Sequence, residues 1–464
     1  MRFDTKWQVL IIICMGIFMS TLDGSILNIA NPTIARDFSI TMSEVQWVVT
    51  SYMLVITSSL LFWGRVGDKI GCEKIYTRGF LVFGAGSLIC SLSNSLFFLI
   101  FARVIQAFGA SMMMATGIGI VTNTFPSKER GKALGLTGSI VGIGNMAGPS
   151  IGGVLVAHFN WPVIFLINVP IGIIGFLLAR KYLPPQPQDL FISNYDTVGI
   201  GLFALSAITL ILSLTASNGI DIPVLMISVF LVLIFWFYEE NTRCPMIDFS
   251  LFKNRIFLQG NLMAAAVYIT QMSVFFLIPF YMEKIFGMSP DQSGLLMTIP
   301  PVTMAIIAPL AGSLSDKLGS TRIIAASLSI LTIAYLIFSS LGPNISTLKI
   351  TSGLIALGIG MGMFGSPNNS SIFGALPREK AGYAGGFVST VRNLCYSLGI
   401  AFSVSIFTFL FTLNQKHISY TNAYMNASSS VYKIAALITF LALILYLVNV
   451  KMSSNRGIQK DISA

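Results

Sequence analysis

The feature that most constrains this chain is a succession of apolar segments, each about 20 residues long, separated by short polar turns. A helix of about 20 residues crosses the hydrocarbon core of a bilayer, so each segment predicts a membrane-spanning helix. Only 10% of the 464 residues are charged, whereas a soluble domain carries about 25%. The sequence therefore predicts an all-α polytopic membrane protein. Its fourteen predicted spans lie at 7–29, 45–63, 75–94, 97–120, 134–157, 163–180, 197–216, 223–238, 257–281, 292–312, 323–342, 349–373, 383–411 and 431–450.

The distribution of Lys and Arg predicts the orientation of these spans. With fourteen spans both termini lie on the same side, and that side carries twenty-one Lys and Arg against five on the other. Basic residues accumulate in cytoplasmic loops, so both termini are predicted to be cytoplasmic. The formal net charge of +10 then reflects topology and contact with anionic lipid headgroups, and nucleic-acid binding is not predicted.

The chain carries no pattern typical of catalysis or of ATP hydrolysis. Its five cysteines are scattered, and their odd number argues against a disulfide framework. No metal-like spacing and no G-x-x-x-x-G-K-[ST] phosphate loop occur. We therefore expect neither an enzyme nor an ATP-driven pump, and no cofactor. The N-terminal residues run directly into a full-length span, so no cleavable signal is expected.

Two loops on the predicted cytoplasmic side resemble each other at an offset of 248 residues. GRVGDKIGCEK at 64–74 and GSLSDKLGSTR at 312–322 share a glycine, an Asp-Lys pair, a second glycine and a basic end. Each loop follows the second span of a six-span block, which is typical of transporters whose two halves rock about a central site. The predicted domains are an N-terminal six-helix bundle (1–182), linkers with two inserted helices (183–255), a C-terminal six-helix bundle (256–450) and a tail (451–464).

Two ionisable residues lie deep within predicted spans. Asp23 is about six residues, or roughly 9 Å, from the outer end of span 1, and Arg103 has a similar depth in span 4. Charges at that depth are costly unless they pair or face water, so we expect the two to share a polar cavity. Either the carboxylate alternates between ionised and proton-bound forms, or a static ion pair joins the two helices. The residues themselves leave both interpretations open.

Aromatic, amide and polarisable side chains within the spans are candidates for a substrate cavity, because they suit apolar and amphipathic ligands. In lipid the same side chains are also ordinary packing. Arg392 has no deep carboxylate in its half of the chain, so a local structural role and ligand contact are both open. The candidates are Asp23, Tyr52, Gln106, Met113, Asn368 and Arg392.

Residues 135–153 read GLTGSIVGIGNMAGPSIGG, with seven glycines and one proline in an apolar run. Glycine and proline are the two poorest helix formers. In a spanning segment this composition indicates close approach to neighbouring helices and a bend at Gly148–Pro149.

Together these motifs resemble the major facilitator superfamily, and within it the fourteen-span drug:proton antiporter family. The 64–74 loop is similar to the signature between spans 2 and 3, and 135–153 is similar to the antiporter motif of span 5. LDGSILNIANPTI at 22–34, WPVIFLINVPIG at 161–172 and PMIDFSLFKNRIF at 245–257 resemble further family segments. The residues that match the antiporter motif are Gly135, Gly144, Gly148, Pro149, Gly152 and Gly153.

The resemblance implies two six-helix bundles with two extra central helices. It associates Arg103 and Gln106 with proton relay, which favours Asp23 as the proton carrier. It also favours a latch on the cytoplasmic side, formed around Asp68, over the alternative in which Asp68 caps span 3 and Lys69 binds lipid phosphate. The residues assigned to this gating loop are Gly64, Asp68, Lys69, Gly71, Asp316 and Lys317.

The function implied by the resemblance is proton-coupled export of amphipathic, lipophilic and often cationic compounds by alternating access. The first alternative is an exporter of a defined endogenous solute such as a peptide, a siderophore or a lipid precursor. The second is a membrane sensor that does not transport. The expected partners are a small-molecule substrate, protons and membrane lipids, without nucleic acid or ATP. The expected protein is a monomer in the inner membrane of a bacterium.

Overall fold

The computed structural model describes residues 5–185, 196–215, 221–242, 249–342, 347–375 and 381–462. Regular structure in this part of the chain consists of helices, with one short 3-10 turn at Phe249–Lys253. The helices are α1 (Thr5–Asp37), α2 (Met42–Ile70), α3 (Cys72–Ser91), α4 (Leu96–Thr124), α5 (Ser127–His158), α6 (Val163–Leu166), α7 (Asn168–Tyr182), α8 (Thr197–Leu214), α9 (Ile222–Asn241), α10 (Arg255–Lys284), α11 (Pro290–Met297), α12 (Ile299–Leu318), α13 (Ser320–Ser339), α14 (Thr347–Gly374), α15 (Ala381–Gln415) and α16 (Tyr420–Ile462).

The all-helical, polytopic architecture is confirmed for these residues, but the predicted number of spans is not. Eleven helices of the described chain are long and apolar enough to cross a membrane, and the bent α2 makes up to twelve. Length and composition of the described helices thus support eleven or twelve of the fourteen predicted spans. The two segments that fall short are α3 and α8. Glu73, Lys74 and Arg78 lie in the first two turns of α3, and the apolar stretch of α8 is short, at Val198–Leu214.

Two helix junctions consist of a single glycine with a left-handed backbone. Gly71 separates α2 from α3 with φ +106°, and Gly319 separates α12 from α13 with φ +86°. Residues with a side chain rarely adopt such angles, whereas glycine does so at little cost. Because these glycines occupy corresponding positions of the two similar loops, the sequence repeat corresponds to a repeated backbone turn.

The chain forms two compact units that do not follow its linear order. The first comprises Met1–Asp248, Pro279–Thr298 and Ser389–Ser405, and the second comprises Phe249–Ile278, Ile299–Val388 and Ile406–Ala464. Helices α10 and α15 each contribute residues to both units. The domain boundaries predicted from the sequence at 182 and 256 stay a prediction.

The core of the first unit lies between α1, α2, α3, α4 and α7, where a cluster of apolar side chains is buried. The hydroxyl of Tyr76 donates a hydrogen bond to the carbonyl of Ile13 at 2.9 Å. A Cβ added at Gly109 would lie 2.7 Å from the Cα of Phe83 and 2.8 Å from the carbonyl oxygen of Gly79. Small residues thus allow α3 and α4 to pack backbone against backbone, as membrane helices commonly do.

The inserted helices α8 and α9 also belong to the first unit. Leu54 of α2, Ala207 and Ile211 of α8 and Ala401 of α15 form one buried apolar cluster. The hydroxyl of Ser228 on α9 donates to the carbonyl of Ser206 on α8 at 3.0 Å. Helix α8 is therefore held both by apolar packing against α2 and α15 and by a hydrogen bond from α9.

The second unit is built around α12, α13, α14 and α16, with α10 alongside. A Cβ at Gly358 of α14 would lie 2.7 Å from the carbonyl oxygen of Pro300 on α12. The hydroxyl of Tyr335 on α13 donates to Oγ1 of Thr270 on α10 at 3.1 Å. Close glycine contacts and a few buried hydrogen bonds therefore join the helices of this unit too.

Candidate functional site

The structure brings Asp23 of α1 and Arg103 of α4 together in the interior of the first unit. Nη1 of Arg103 lies 2.6 Å from Oδ2 of Asp23, and neither side chain is exposed to solvent. An isolated buried charge costs several kcal/mol, and pairing together with hydrogen bonds offsets that cost. The similar depths of the two residues in the sequence therefore correspond to a direct contact in the fold.

The guanidinium of Arg103 also binds α2. Its Nε donates to the carbonyl of Val48 at 3.0 Å, and its Cζ lies 3.9 Å from the ring centroid of Tyr52. A cation over an aromatic face is stabilised electrostatically, more so where water is excluded. Nη2 of Arg103 and the hydroxyl of Tyr52 are buried without a hydrogen-bond partner. Several contacts thus hold the Asp23–Arg103 pair in place, while two polar atoms beside it make no hydrogen bond.

Gln106, one turn along α4 from Arg103, uses its whole amide within this network. Its Nε2 donates to Oδ1 of Asp23 and to Oγ of Ser87, both at 2.8 Å. Its Oε1 accepts from Nη1 of Arg103 at 2.6 Å and from Sγ of Cys90 at 3.7 Å. A primary amide has two donor hydrogens and two acceptor lone pairs. All are engaged, so the predicted contact of Gln106 with a substrate requires this network to open.

Asn168 completes the network, and the sequence arguments did not identify it. It is the first residue of α7, is fully buried, and donates from Nδ2 to Oδ1 of Asp23 at 3.0 Å. Its own Oδ1 has no hydrogen-bond partner. The available signal was one amide in the apolar segment 163–180, because an amide there has to find a polar partner inside the protein.

The chemistry of the site follows from these contacts. Asp23 accepts hydrogen bonds from Arg103, Gln106 and Asn168, the pattern expected of an ionised carboxylate, which only accepts. Side chains from α1, α2, α3, α4 and α7 meet at this point. The buried network therefore contains one carboxylate that could change protonation state, beside one fixed cation.

The other predicted cavity residues lie in different surroundings. Met113 is buried in the apolar core, with its Cγ 2.7 Å from the position of a Cβ added at Gly79. Arg392 is half-buried on the part of α15 that belongs to the first unit. In the second unit, buried Asn368 donates to the carbonyl of Gly260 at 3.2 Å. Tyr52 contacts Arg103. Substrate contact by these residues stays a prediction.

The first of the two loops predicted to gate the cytoplasmic side forms the junction of α2 and α3. Asp68 is exposed near the end of α2 and accepts a long contact from Sγ of Cys72 at 3.9 Å. Gly71, which has no side chain, occupies the N-cap of α3, and the alternative in which Asp68 caps span 3 stays a prediction. Lys69 is half-buried, Asp316 and Lys317 are exposed, and nothing lies within 4 Å of a Cβ added at Gly64. The latch stays a prediction.

The glycines of α5 divide between two partners. Gly144, Gly148 and Gly152 face α1, and a Cβ at Gly152 would lie 2.6 Å from Cγ1 of Ile26. A Cβ at Gly153 would lie 2.6 Å from the carbonyl oxygen of Pro290, at the start of α11. Pro149 lies inside the helix between these contacts. The helix also passes through Gly135, whose surroundings lie outside what the structure describes.

A further contact joins α5 to α11 and the residue after it. The hydroxyls of Ser150 and Thr298 lie 2.6 Å apart. A Cβ at Gly294 would lie 3.0 Å from the Cα of Gly153. Glycine on both sides thus permits backbone contact between a helix of the N-terminal half of the sequence and one of the C-terminal half.

Comparison with known proteins supports what the helices and motifs predict. Residues 13–400 match the Major Facilitator Superfamily. The riboflavin transporter RibZ of Clostridioides difficile is 49% identical over 440 residues, covering 95% of this chain and 96% of RibZ. The methyl viologen resistance protein SmvA of Salmonella typhimurium is 30% identical, covering 87% of this chain and 82% of SmvA.

The fold is also similar to the folds of solved structures. The crystal structure of tetrameric PepTSo2 superposes with a TM-score of 0.70, covering 97% of this chain and 100% of that one at 13% identity. At that identity the likeness concerns the fold alone. The family match over residues 13–400 is what places this chain among multi-pass membrane transporters rather than enzymes. The chain belongs to the major facilitator superfamily of secondary transporters.

Proposed function

We propose that this chain is a proton-coupled secondary transporter for a specific solute of the riboflavin class. The observation that carries the proposal is the 49% identity to the riboflavin transporter RibZ over 95% of the chain. The identity to SmvA is 30%. This difference favours the first alternative from the sequence, a defined solute, over broad drug export.

The charge balance of the site also supports an uncharged solute. Asp23 is the deep carboxylate of the N-terminal spans, and Arg103 already neutralises it at 2.6 Å. A cationic drug would have to compete with a fixed guanidinium for that carboxylate. Riboflavin is uncharged at neutral pH, with a planar apolar ring system and a hydroxylated chain. Such a ligand suits a largely apolar pocket with a few polar groups.

We assign the proton step to Asp23. Its ionised form pairs with Arg103, and its protonated form would release that pairing and weaken the junction of α1 with α4. A protonation change would thus alter the packing of two spanning helices, which is the coupling that a transport cycle requires. The competing interpretation is a static ion pair, and the variants described below distinguish the two.

The exchange mode and topology are further parts of the proposal. The glycine pattern of α5 supports antiport. We place fourteen spans in the membrane of a bacterium, with α3 and α8 crossing as well and both termini in the cytoplasm, as a monomer. Tyr52, Met113, Asn368 and Arg392 are the proposed contributors to the substrate cavity. Reactivity of single cysteines placed at each terminus toward an impermeant reagent tests the orientation.

The test of function uses the purified full-length protein in proteoliposomes with an imposed pH gradient. Flux of riboflavin is compared with flux of methyl viologen and of the lipophilic cation tetraphenylphosphonium, with Asp23→Asn as the control. We expect saturable riboflavin flux that depends on the gradient and on Asp23. Riboflavin moving with the protons instead of against them would replace antiport by symport. Absence of riboflavin flux from folded protein would overturn the assignment of the substrate.

Multidrug export is the second candidate function. It is supported by the antiporter-like glycines and by the relationship to SmvA, whose name records methyl viologen resistance. Gradient-driven flux of both cations without riboflavin flux would favour this function. Protection of a drug-sensitised host, lost in Asp23→Asn, would support it independently.

A further inference from the structure

The side-chain amide of Asn168 hydrogen-bonds to Asp23 through its nitrogen, while its oxygen has no hydrogen-bond partner. Its side chain is fully buried, and its Nδ2 donates to Oδ1 of Asp23 at 3.0 Å. Its Oδ1, on the other side of the same amide, is buried without a hydrogen-bond partner. The assignment of nitrogen and oxygen follows from the network, because an ionised carboxylate requires a donor at that position. A half rotation of the Asn168 amide would therefore bring its unpaired Oδ1 to the position that faces the carboxylate of Asp23.

Protonation of Asp23 would create a donor that needs an acceptor. Arg103 has no acceptor atom. Oε1 of Gln106 already accepts from Arg103 and Cys90, and the carbonyl of Val48 already accepts from Arg103. The hydroxyl of Tyr52 makes no hydrogen bond in this arrangement. Among the described side chains that hydrogen-bond to Asp23, Asn168 is the one whose acceptor oxygen is unoccupied.

Gln106 cannot exchange its amide atoms as Asn168 can. Reversing Gln106 would present its nitrogen to Arg103 and its oxygen to Asp23, and would break the hydrogen bond to Ser87. Reversing Asn168 breaks only the hydrogen bond to Asp23. It exchanges one unsatisfied atom, Oδ1, for another, Nδ2, so the number of unsatisfied groups on this residue stays the same.

We propose that Asn168 is a positioning residue that serves both protonation states of Asp23 by rotating its amide. With the ionised carboxylate it donates through Nδ2. When a proton from water binds Asp23, the amide turns by a half rotation about χ2, and Oδ1 accepts the new O–H. The covalent changes are one O–H bond formed at Asp23 and one O–H bond broken in the hydronium ion that delivers the proton and becomes water. The inference rests on the proposed proton role of Asp23.

The titratable surroundings of Asp23 come from three helices. Arg103 lies on α4, Tyr52 on α2 and Cys90 on α3, and these are the groups that interact electrostatically at this point. On α5, Gly144 and Gly148 pack against Thr21 and Ser25, which lie two positions before and after Asp23 in the chain. From α7 the neighbour is Asn168 itself. Among the described side chains that donate hydrogen bonds to Asp23, Asn168 is therefore the uncharged one whose acceptor oxygen is unused.

Infrared difference spectroscopy on the full-length protein in lipid tests the proposal. Spectra at low pH minus high pH are recorded for the natural sequence, for Asp23→Asn, and for the matched pair Asn168→Val and Asn168→Thr. Valine and threonine have nearly the same shape, and only threonine has a hydroxyl that donates and accepts. Carbon-13 labelling of asparagine identifies the amide carbonyl of Asn168, as the signal absent from both Asn168 variants.

We expect a carboxyl C=O band that is absent from Asp23→Asn, together with a shift of the Asn168 amide band on acidification. In Asn168→Val the carboxyl band should move to higher frequency, as for an O–H without an acceptor, and gradient-driven transport should fall. Asn168→Thr should restore the lower frequency and part of the transport. A carboxyl band at the same frequency in all three proteins would overturn the proposal.

The outcome also separates this inference from the proposed function. Absence of any Asp23 band in the natural sequence would overturn the proton role of Asp23, and this inference with it. An Asp23 band that does not respond to Asn168→Val would overturn the inference alone. Circular dichroism establishes that each variant is folded, and Asn168→Thr keeps the test valid if Asn168→Val does not fold.

Discussion

Nη1 of Arg103 lies 2.6 Å from Oδ2 of Asp23, and both side chains are fully excluded from solvent. This contact joins α1 to α4, two helices whose charged residues are 80 positions apart in the chain. Because Arg103 also binds α2, Gln106 binds α3 and Asn168 of α7 binds Asp23 directly, a change at Asp23 reaches five helices. The site is thus placed where a single proton could influence the packing of much of the first unit.

Replacing Asp23 with asparagine should abolish gradient-driven transport while the protein remains folded. The amide cannot take up a proton, and it leaves Arg103 buried without its counter-charge. Removing one partner of a buried pair costs about 3–5 kcal/mol, so the melting temperature in detergent should also fall. Flux in proteoliposomes and thermal unfolding are the measurements. Glu44→Gln, which keeps an acceptor in the exposed capping box of α2, is the control and should leave transport unchanged, with a loss of stability of at most about 1 kcal/mol.

A double variant distinguishes coupling from mere stability. Asp23→Asn combined with Arg103→Gln removes both charges, so much of the lost stability should return, because no unpaired charge remains. Coupled transport should not return, since no group that binds a proton is restored. Recovery of gradient-driven flux in the double variant would contradict the proton role of Asp23 and support the static ion pair.

Alanine substitutions along α5 should divide into two classes. A Cβ at Gly148 would lie 2.7 Å from Cβ of Ser25 and 3.0 Å from the backbone nitrogen of Ile26, whereas nothing lies within 4 Å of a Cβ at Gly142. Overpacking costs about 1–3 kcal/mol, so Gly148→Ala should destabilise the protein and reduce transport. Gly142→Ala should be neutral or stabilising, by up to about 1 kcal/mol. Thermal unfolding measures both, and equal effects would contradict the described contact of α5 with α1.

A reversible cross-link tests whether α5 separates from its partner at Thr298 during transport. The hydroxyls of Ser150 and Thr298 lie 2.6 Å apart, so cysteines at both positions should come within the range of a disulfide. We expect oxidation of Ser150→Cys/Thr298→Cys to stop transport and a reductant to restore it. The two single substitutions, Ser150→Cys alone and Thr298→Cys alone, are the controls. Full transport by the cross-linked protein would mean that this contact persists throughout the cycle.

The two loop glycines provide a graded test of backbone strain. Gly71→Ala forces φ +106° on a residue with a side chain and places its Cβ 2.6 Å from Oε2 of Glu73. Gly319→Ala meets only the backbone penalty, at φ +86°, because nothing lies within 4 Å. A left-handed conformation costs about 1–2 kcal/mol. The loss of stability should therefore be larger at Gly71 than at Gly319.

Gly64→Ala serves as the matched control for both loop variants. Gly64 lies within α2, and a Cβ there meets nothing within 4 Å. Alanine is a better helix former than glycine, so this variant should be neutral or slightly stabilising. Thermal unfolding of the three variants in the same detergent measures the order. A loss at Gly64 equal to that at Gly71 would show that the left-handed turn is not the cause.

Much of the fold could be predicted because lipid imposes simple rules. Apolar length identifies spanning helices, and the paired loops indicated a repeat that reappears as the turns at Gly71 and Gly319. The number of spans was harder to predict. Segment 75–94 is apolar, but α3 begins earlier, at Cys72, and includes Glu73, Lys74 and Arg78. Hydrophobic segments and helices therefore do not have the same bounds.

The site could be predicted only in part. Asp23 and Arg103 stood out because ionisable residues are rare in spans. Asn168 did not stand out, since an amide reveals its role only through what it touches. Met113 suits a cavity by composition, and the structure places it in the buried apolar core, so its contact with a substrate stays a prediction. The role of a common type of side chain depends on its neighbours in the fold. Those neighbours cannot be read from the order of residues in the chain.

The sequence by itself determined that the chain is a helical membrane protein with a duplicated loop and one deep carboxylate matched in depth by an arginine. These properties follow from local composition, since each span has to satisfy the bilayer separately. Only the tertiary structure decided that Asp23 meets Arg103, Gln106 and Asn168, and that α5 packs its glycines on α1 and α11. Such contacts join residues distant in the chain, and they depend on which helix faces lie together.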